Sequence, residues 1–142
     1  MKTKTIIAVR GVANQGKSAS IKIAYSLLRE AYPTAKIEEL HIGVDITVVI
    51  TIDGVKVGIE SQGDPNSRLF QSLGHFVTIG CKVIICATRS RGATVEAVNS
   101  LAGKYRVEWY PKQSVSSASK YAAANQSVAQ QIVAAVQAAI DA

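Results

Sequence analysis

The chain has 142 residues, 48% of them hydrophobic, which is enough for one domain with a sizeable core and too little for two. Sixteen Lys and Arg against ten Asp and Glu leave a formal charge of +6, a balance that favours anionic partners. No run approaches the roughly eighteen apolar residues that span a bilayer, and Met1-Lys2-Thr3-Lys4 leads into a run too short for a signal peptide, so a cytoplasmic protein without membrane contact is expected.

In chain order, Thr5-Ile6-Ile7-Ala8-Val9 is a short, apolar, largely β-branched run suited to a buried parallel strand. Gly11-Val12-Ala13-Asn14-Gln15-Gly16-Lys17-Ser18 follows and fits the pattern G-x-x-x-x-G-K-[ST]. Beyond it, Ile21, Ala24, Tyr25, Leu28 and Tyr32 recur at three- and four-residue spacing, predicting an amphipathic helix that Pro33 stops. Glycines at both ends of the loop let successive backbone N–H groups turn inward on an anion, and the helix N-terminus adds partial positive charge.

On these residues the chain resembles the P-loop NTPases, over about its first thirty residues. The resemblance implies a nucleoside triphosphate cradled by Gly11, Asn14, Gln15, Gly16, Lys17, Ser18 and Ala19. Lys17 would reach the β- and γ-phosphates, and the Ser18 hydroxyl would ligate Mg²⁺.

Residues 35 to 41 predict a modest strand, and Ile46-Thr47-Val48-Val49-Ile50-Thr51-Ile52 a clear one. Asp53-Gly54 then separates this run from Val55-Lys56-Val57-Gly58-Ile59, a strong signal for a hairpin closed by a type I′ turn. Asn66 or Ser67 is expected to cap a helix carrying Leu69, Phe70, Leu73, Phe76 and Val77 on one face. Residues 82 to 87 predict a central parallel strand, Gly92-Ala93-Thr94 opens a helix that closes near Gly103, and Arg106 to Tyr110 form a strand ended by Pro111. From about Ser117 to residue 141 an Ala-rich helix is expected, with Tyr121, Val128, Ile132, Val136 and Ile140 as its apolar stripe. The order β-α-β-β-β-α-β-α-β-α predicts a single-domain α/β fold, a three-layer α/β/α sandwich with a mainly parallel sheet and one antiparallel hairpin.

An NTPase needs an acidic group near its metal, and the best placed here is Glu60 at the end of a predicted strand, with Asp64 in the loop beyond. Glu60-Ser61-Gln62-Gly63 is similar to the acid-x-x-Gly switch loop of small GTPases. Glu60 and Asp64, with Ser18, are therefore the expected metal residues, and Gln62 a candidate for positioning water. Arg89 and Arg91 follow the most buried strand and are expected to emerge near the phosphates, where guanidinium groups pair bidentately with phosphate oxygens; Arg68 is a further candidate. Lys17, Glu60, Arg89 and Arg91 make the expected catalytic set. Asp53 also follows an apolar run, but Gly54 assigns it to the turn. Cys81 and Cys86 lack metal or redox spacing and are expected as buried thiols, and His41 and His75 predict no zinc site.

The N-K-x-D element that reads guanine is absent, so ATP is the expected nucleotide, with GTP left open. The leading expectation is a Mg-ATP-dependent ATPase and nucleotide switch. A small kinase, with Asp64 near the acceptor hydroxyl, and a weakly catalytic nucleotide-binding adaptor are the alternatives. The C-terminal helix or basic face would then engage a protein partner, a second copy or, with weaker support from the dispersed basic residues, nucleic acid.

Overall fold

The computed structural model describes residues 4–11, 17–64, 67–111 and 118–141. Among them lie six strands, β1 (Thr5–Arg10), β2 (Lys36–His41), β3 (Thr47–Ile52), β4 (Val55–Glu60), β5 (Val83–Thr88) and β6 (Arg106–Pro111). The helices are α1 (Lys17–Ala31), α2 (Leu69–Thr78), α3 (Ala93–Asn99) and α4 (Ala118–Asp141). The element order is the one the sequence predicts. The sheet runs β2-β3-β4-β5-β1-β6. β3 is antiparallel to both neighbours, while β4, β5, β1 and β6 pair in parallel.

Side-chain alternation divides the core into two layers. Ile7 and Val9 of β1, Val48 and Ile50 of β3, Val57 and Ile59 of β4 and Val83 and Ile85 of β5 face α1 and α4. Ile6, Ala8, Val49, Ile84 and Cys86 face Leu69, Leu73 and Phe76 of α2 and Val98 of α3. Runs buried on both faces are what β1 and β5 need as central strands, and every residue of β5 is buried. The edge strand β2 is exposed along its whole length.

The hairpin turn has the expected geometry, with Asp53 at φ 50° and Gly54 at φ 80°. α4 buries Val128, Ile132, Val136 and Ile140 against α1 and the sheet, which is the predicted stripe; Ser117 and the Tyr121 side chain lie outside the described residues. The start of α2 differs from expectation. Asn66 lies outside the described residues, Arg68 holds the cap position without a side-chain cap bond, and the Ser67 hydroxyl accepts only a 3.3 Å bond from the Leu69 N–H. The Gln62 side chain reaches in instead, its Oε1 accepting the Arg68 N–H at 2.9 Å. Cys81 and Cys86 are buried free thiols, and burial pushes the first up to about 11 and the second to about 12. No helix among the described residues is long and apolar enough to cross a membrane.

Gly58 is a tight contact in the α2 layer. A Cβ there would stand 2.5 Å from the ring of fully buried Phe76. Gly58→Ala is therefore expected to destabilise the fold by about 1–3 kcal/mol, because ring and strand must separate, and to leave the junction of Gly11, Lys17 and Thr88 intact. Urea unfolding checks this, and an unchanged midpoint would refute the contact.

Candidate functional site

The carboxyl ends of β1, β4 and β5 form one edge of the sheet, where ligands bind in open α/β folds. β1 runs straight into Gly11, whose N–H donates to Thr88 O at 3.2 Å and so continues the β1–β5 ladder by one bond. Lys17 opens α1 and folds back across this junction. Its Nζ donates to Gly11 O at 2.5 Å and to Thr88 O at 2.7 Å, and the residue is only 7% exposed. Burial lowers the ammonium from its usual 10.5 to about 8; Asp64 opposes that shift and Arg89 adds to it. The first turn of α1 contains no acidic residue, so no side chain there offsets the partial positive charge of the helix N-terminus. Asn14, Gln15 and Gly16 lie outside the described residues, and Ala19 is half-buried on α1.

The next residue, Ser18, meets a carboxylate that the sequence reading did not select. Its hydroxyl donates to Asp45 Oδ1 at 2.7 Å. The Ser61 hydroxyl donates to the same oxygen at 2.9 Å and accepts the Ile46 N–H at 2.9 Å. The hairpin explains this convergence. In an antiparallel pair the start of one strand abuts the end of the other, so Asp45, just before β3, lies beside Ser61, just after β4. Lys22, one turn beyond Ser18, donates to Val44 O at 2.8 Å and holds the same β2–β3 connection to α1.

Glu60 lies on the opposite face of the sheet from Ser61, as strand alternation requires. It is fully buried; Oε1 accepts from the Thr47 hydroxyl at 2.6 Å and the Ser72 hydroxyl of α2 at 2.5 Å, and Oε2 accepts the Gln62 N–H at 3.0 Å. Arg68 adds a 3.5 Å ion pair to Oε2 and donates through Nε to the Thr47 hydroxyl at 3.2 Å. Every partner belongs to the hairpin, the following loop or α2. The structure thus brings Ser18 to Asp45 rather than to Glu60, and β5 stands between β4 and β1.

Asp64 and Arg89 do come together, with Nε donating to Oδ1 at 3.0 Å across the loops that follow β4 and β5. Their side chains are well exposed, so the pair contributes little to stability. The loop after β4 also lies tightly against β5 at Gly63, where a Cβ would lie 2.5 Å from Ala87 O. Arg91 is exposed. Arg10, at the end of β1, is a further basic residue on this edge; its guanidinium lies 5.1 Å from the Trp109 ring centroid and its Nε donates to Ser90 O at 2.7 Å.

No group of three or more His, Cys, Asp or Glu side chains able to hold a metal occurs among the described residues. The hard oxygens of Ser18 and the half-buried Asp45 are nonetheless of the kind that bind Mg²⁺, whereas the Ser61 hydroxyl is buried and engaged with Asp45 and the Ile46 N–H. A groove of about 740 Å³ runs along the edge strand β6, from Thr5 and Arg106 past Glu108 to Tyr110, against the Gln131 to Ala139 stretch of α4. No family model matches the chain, and neither a curated protein nor a solved structure matches it.

Proposed function

We propose that the chain is a P-loop nucleotide-binding protein that binds Mg-ATP and hydrolyses it, with cleavage switching the Gln62 to Arg68 region between two arrangements. The observation that carries this reading is Lys17: a buried ammonium whose hydrogen-bond partners among the described residues are two carbonyl oxygens, at the end of a motif suited to phosphate. Burying a cation without a directly paired carboxylate destabilises a fold, and such groups cluster where an anionic ligand or transition state supplies the missing charge.

In this reading the amides of Gly11 to Ser18 and the N-terminus of α1 hold the phosphates, while Lys17 turns from its carbonyl partners to the β- and γ-oxygens. Mg²⁺ bound at the Ser18 hydroxyl would offset charge on those oxygens. Arg89, once released from Asp64, and Arg91, both on the loop after β5, would stabilise charge gathering on the γ-phosphate during in-line attack by water. A kinase would need Asp64 to leave Arg89 before it could accept a proton from a substrate hydroxyl, so the switch is the simpler reading.

The test is titration calorimetry with Mg-ATP across pH, alongside phosphate release. An anion contact raises the Lys17 pKa in the complex, so binding takes up a proton once the pH exceeds the free value of about 8. Affinity should be flat below that pH and fall by up to roughly tenfold per unit above it. Absence of ATP binding by folded protein at pH 7 would overturn the proposal.

A further inference from the structure

We infer that Asp45 is the positioning carboxylate of the metal site, taking the part for which the sequence nominates Glu60; the inference rests on the Mg-nucleotide reading above. A serine hydroxyl has one proton and two lone pairs. Ser18 gives its proton to Asp45 Oδ1 at 2.7 Å, which fixes the rotor and leaves the lone pairs available to a cation. The negative charge on Asp45 makes that hydroxyl oxygen a better donor to a metal.

The carboxylate is itself held in place. Ser61 donates to Oδ1 at 2.9 Å and is fixed in turn by the Ile46 N–H, so a bond chain runs from the β3–β4 ladder through Ser61 and Asp45 to Ser18. Lys22 secures the adjoining carbonyl of Val44. The other nominated acids are committed elsewhere, Glu60 to Thr47, Ser72 and Arg68 on the α2 face and Asp64 to Arg89. Asp45 is half-buried, shielded enough for its charge to act on Ser18 and open enough for a hydrated cation to approach.

The experiment measures ATP affinity by calorimetry with excess EDTA and with excess Mg²⁺, in parent, Asp45→Asn, Ser18→Ala, the double variant and Ser61→Ala, each checked for folding by circular dichroism. Mn²⁺ bound with ATP is counted in parallel by electron paramagnetic resonance. Asp45→Asn should leave the EDTA affinity within about twofold and reduce the gain from metal by roughly 10–100-fold, as expected for a lost orienting partner. Ser18→Ala should lose the same gain and the double variant no more than either single, since both act through one bond. Ser61→Ala should lose a smaller part. A full metal gain in Asp45→Asn overturns the inference, as does an equal loss with and without metal, which would make Asp45 merely structural. ATP binding without any metal gain in the parent overturns the metal assignment alone, whereas no binding in either condition overturns the nucleotide reading and this inference together.

Discussion

Replacing Lys17 by Met is expected to abolish ATP binding and turnover while leaving the protein as stable as the parent or more so. The two halves of this result have different origins. Binding should weaken by about 100-fold or more, the roughly 2–3 kcal/mol of charge-assisted hydrogen bonds to phosphate. Stability should not suffer, because the side chain is buried and its charge is disfavoured there; Met has similar length and no charge. Thr88 O keeps its bond from the Gly11 N–H in the variant, so it is not orphaned.

The pH dependence makes the result diagnostic. The folded-state pKa of Lys17, about 8, lies below its usual 10.5. Below pH 8 both folded and unfolded chains carry the proton, and the folded state bears the full cost of the buried charge. Between pH 8 and 10.5 the unfolded chain binds more protons, so parent stability from this residue rises with pH. The advantage of Lys17→Met in melting temperature should therefore be greatest near pH 7 and shrink toward pH 10. A variant less stable than the parent at pH 7 would show that Lys17 is kept for its carbonyl bonds.

Glu60→Ala should do the reverse, destabilising the fold strongly. Removing this carboxylate leaves the hydroxyls of Thr47 and Ser72 and the Gln62 N–H without their acceptor, and Arg68 without its counter-charge. Losing one member of a buried charged network costs roughly 3–5 kcal/mol, a drop of about 2 M in the urea midpoint for a domain of this size. Glu60→Gln keeps one acceptor oxygen and should lose less, with ATP affinity within about twofold of the parent. Full stability in Glu60→Ala combined with lost turnover would return Glu60 to the catalytic set.

Much of the fold was legible because its signals are local. The fully buried β5 reads as a continuous apolar run, the four-residue spacing of Val128, Ile132, Val136 and Ile140 marks one helix face, and Asp53-Gly54 reports a turn requiring positive φ at both positions. The site was legible only in part. Lys17 and Ser18 stand in a motif of fixed spacing, but Asp45 is a lone acid before a strand, with nothing nearby to distinguish it from a turn residue. Counting outward from the hairpin turn does set Ile46 opposite Ser61, so the neighbourhood of Asp45 was implicit in the register. Glu60 attracted attention by ending a strand; whether its side chain faces α1 or α2 depends on which helix covers which face.

Taken alone, the amino-acid sequence determined the succession of strands and helices, the hairpin and its turn, and a loop with the composition to cradle phosphate, all consequences of backbone preference and periodicity over a few residues. The tertiary structure decided which carboxylate Ser18 meets, that β5 separates β4 from β1, and that Arg89 pairs with Asp64. Those outcomes depend on the lateral order of strands and on the faces the helices cover. Such pairings join residues tens of positions apart, and no local preference encodes them.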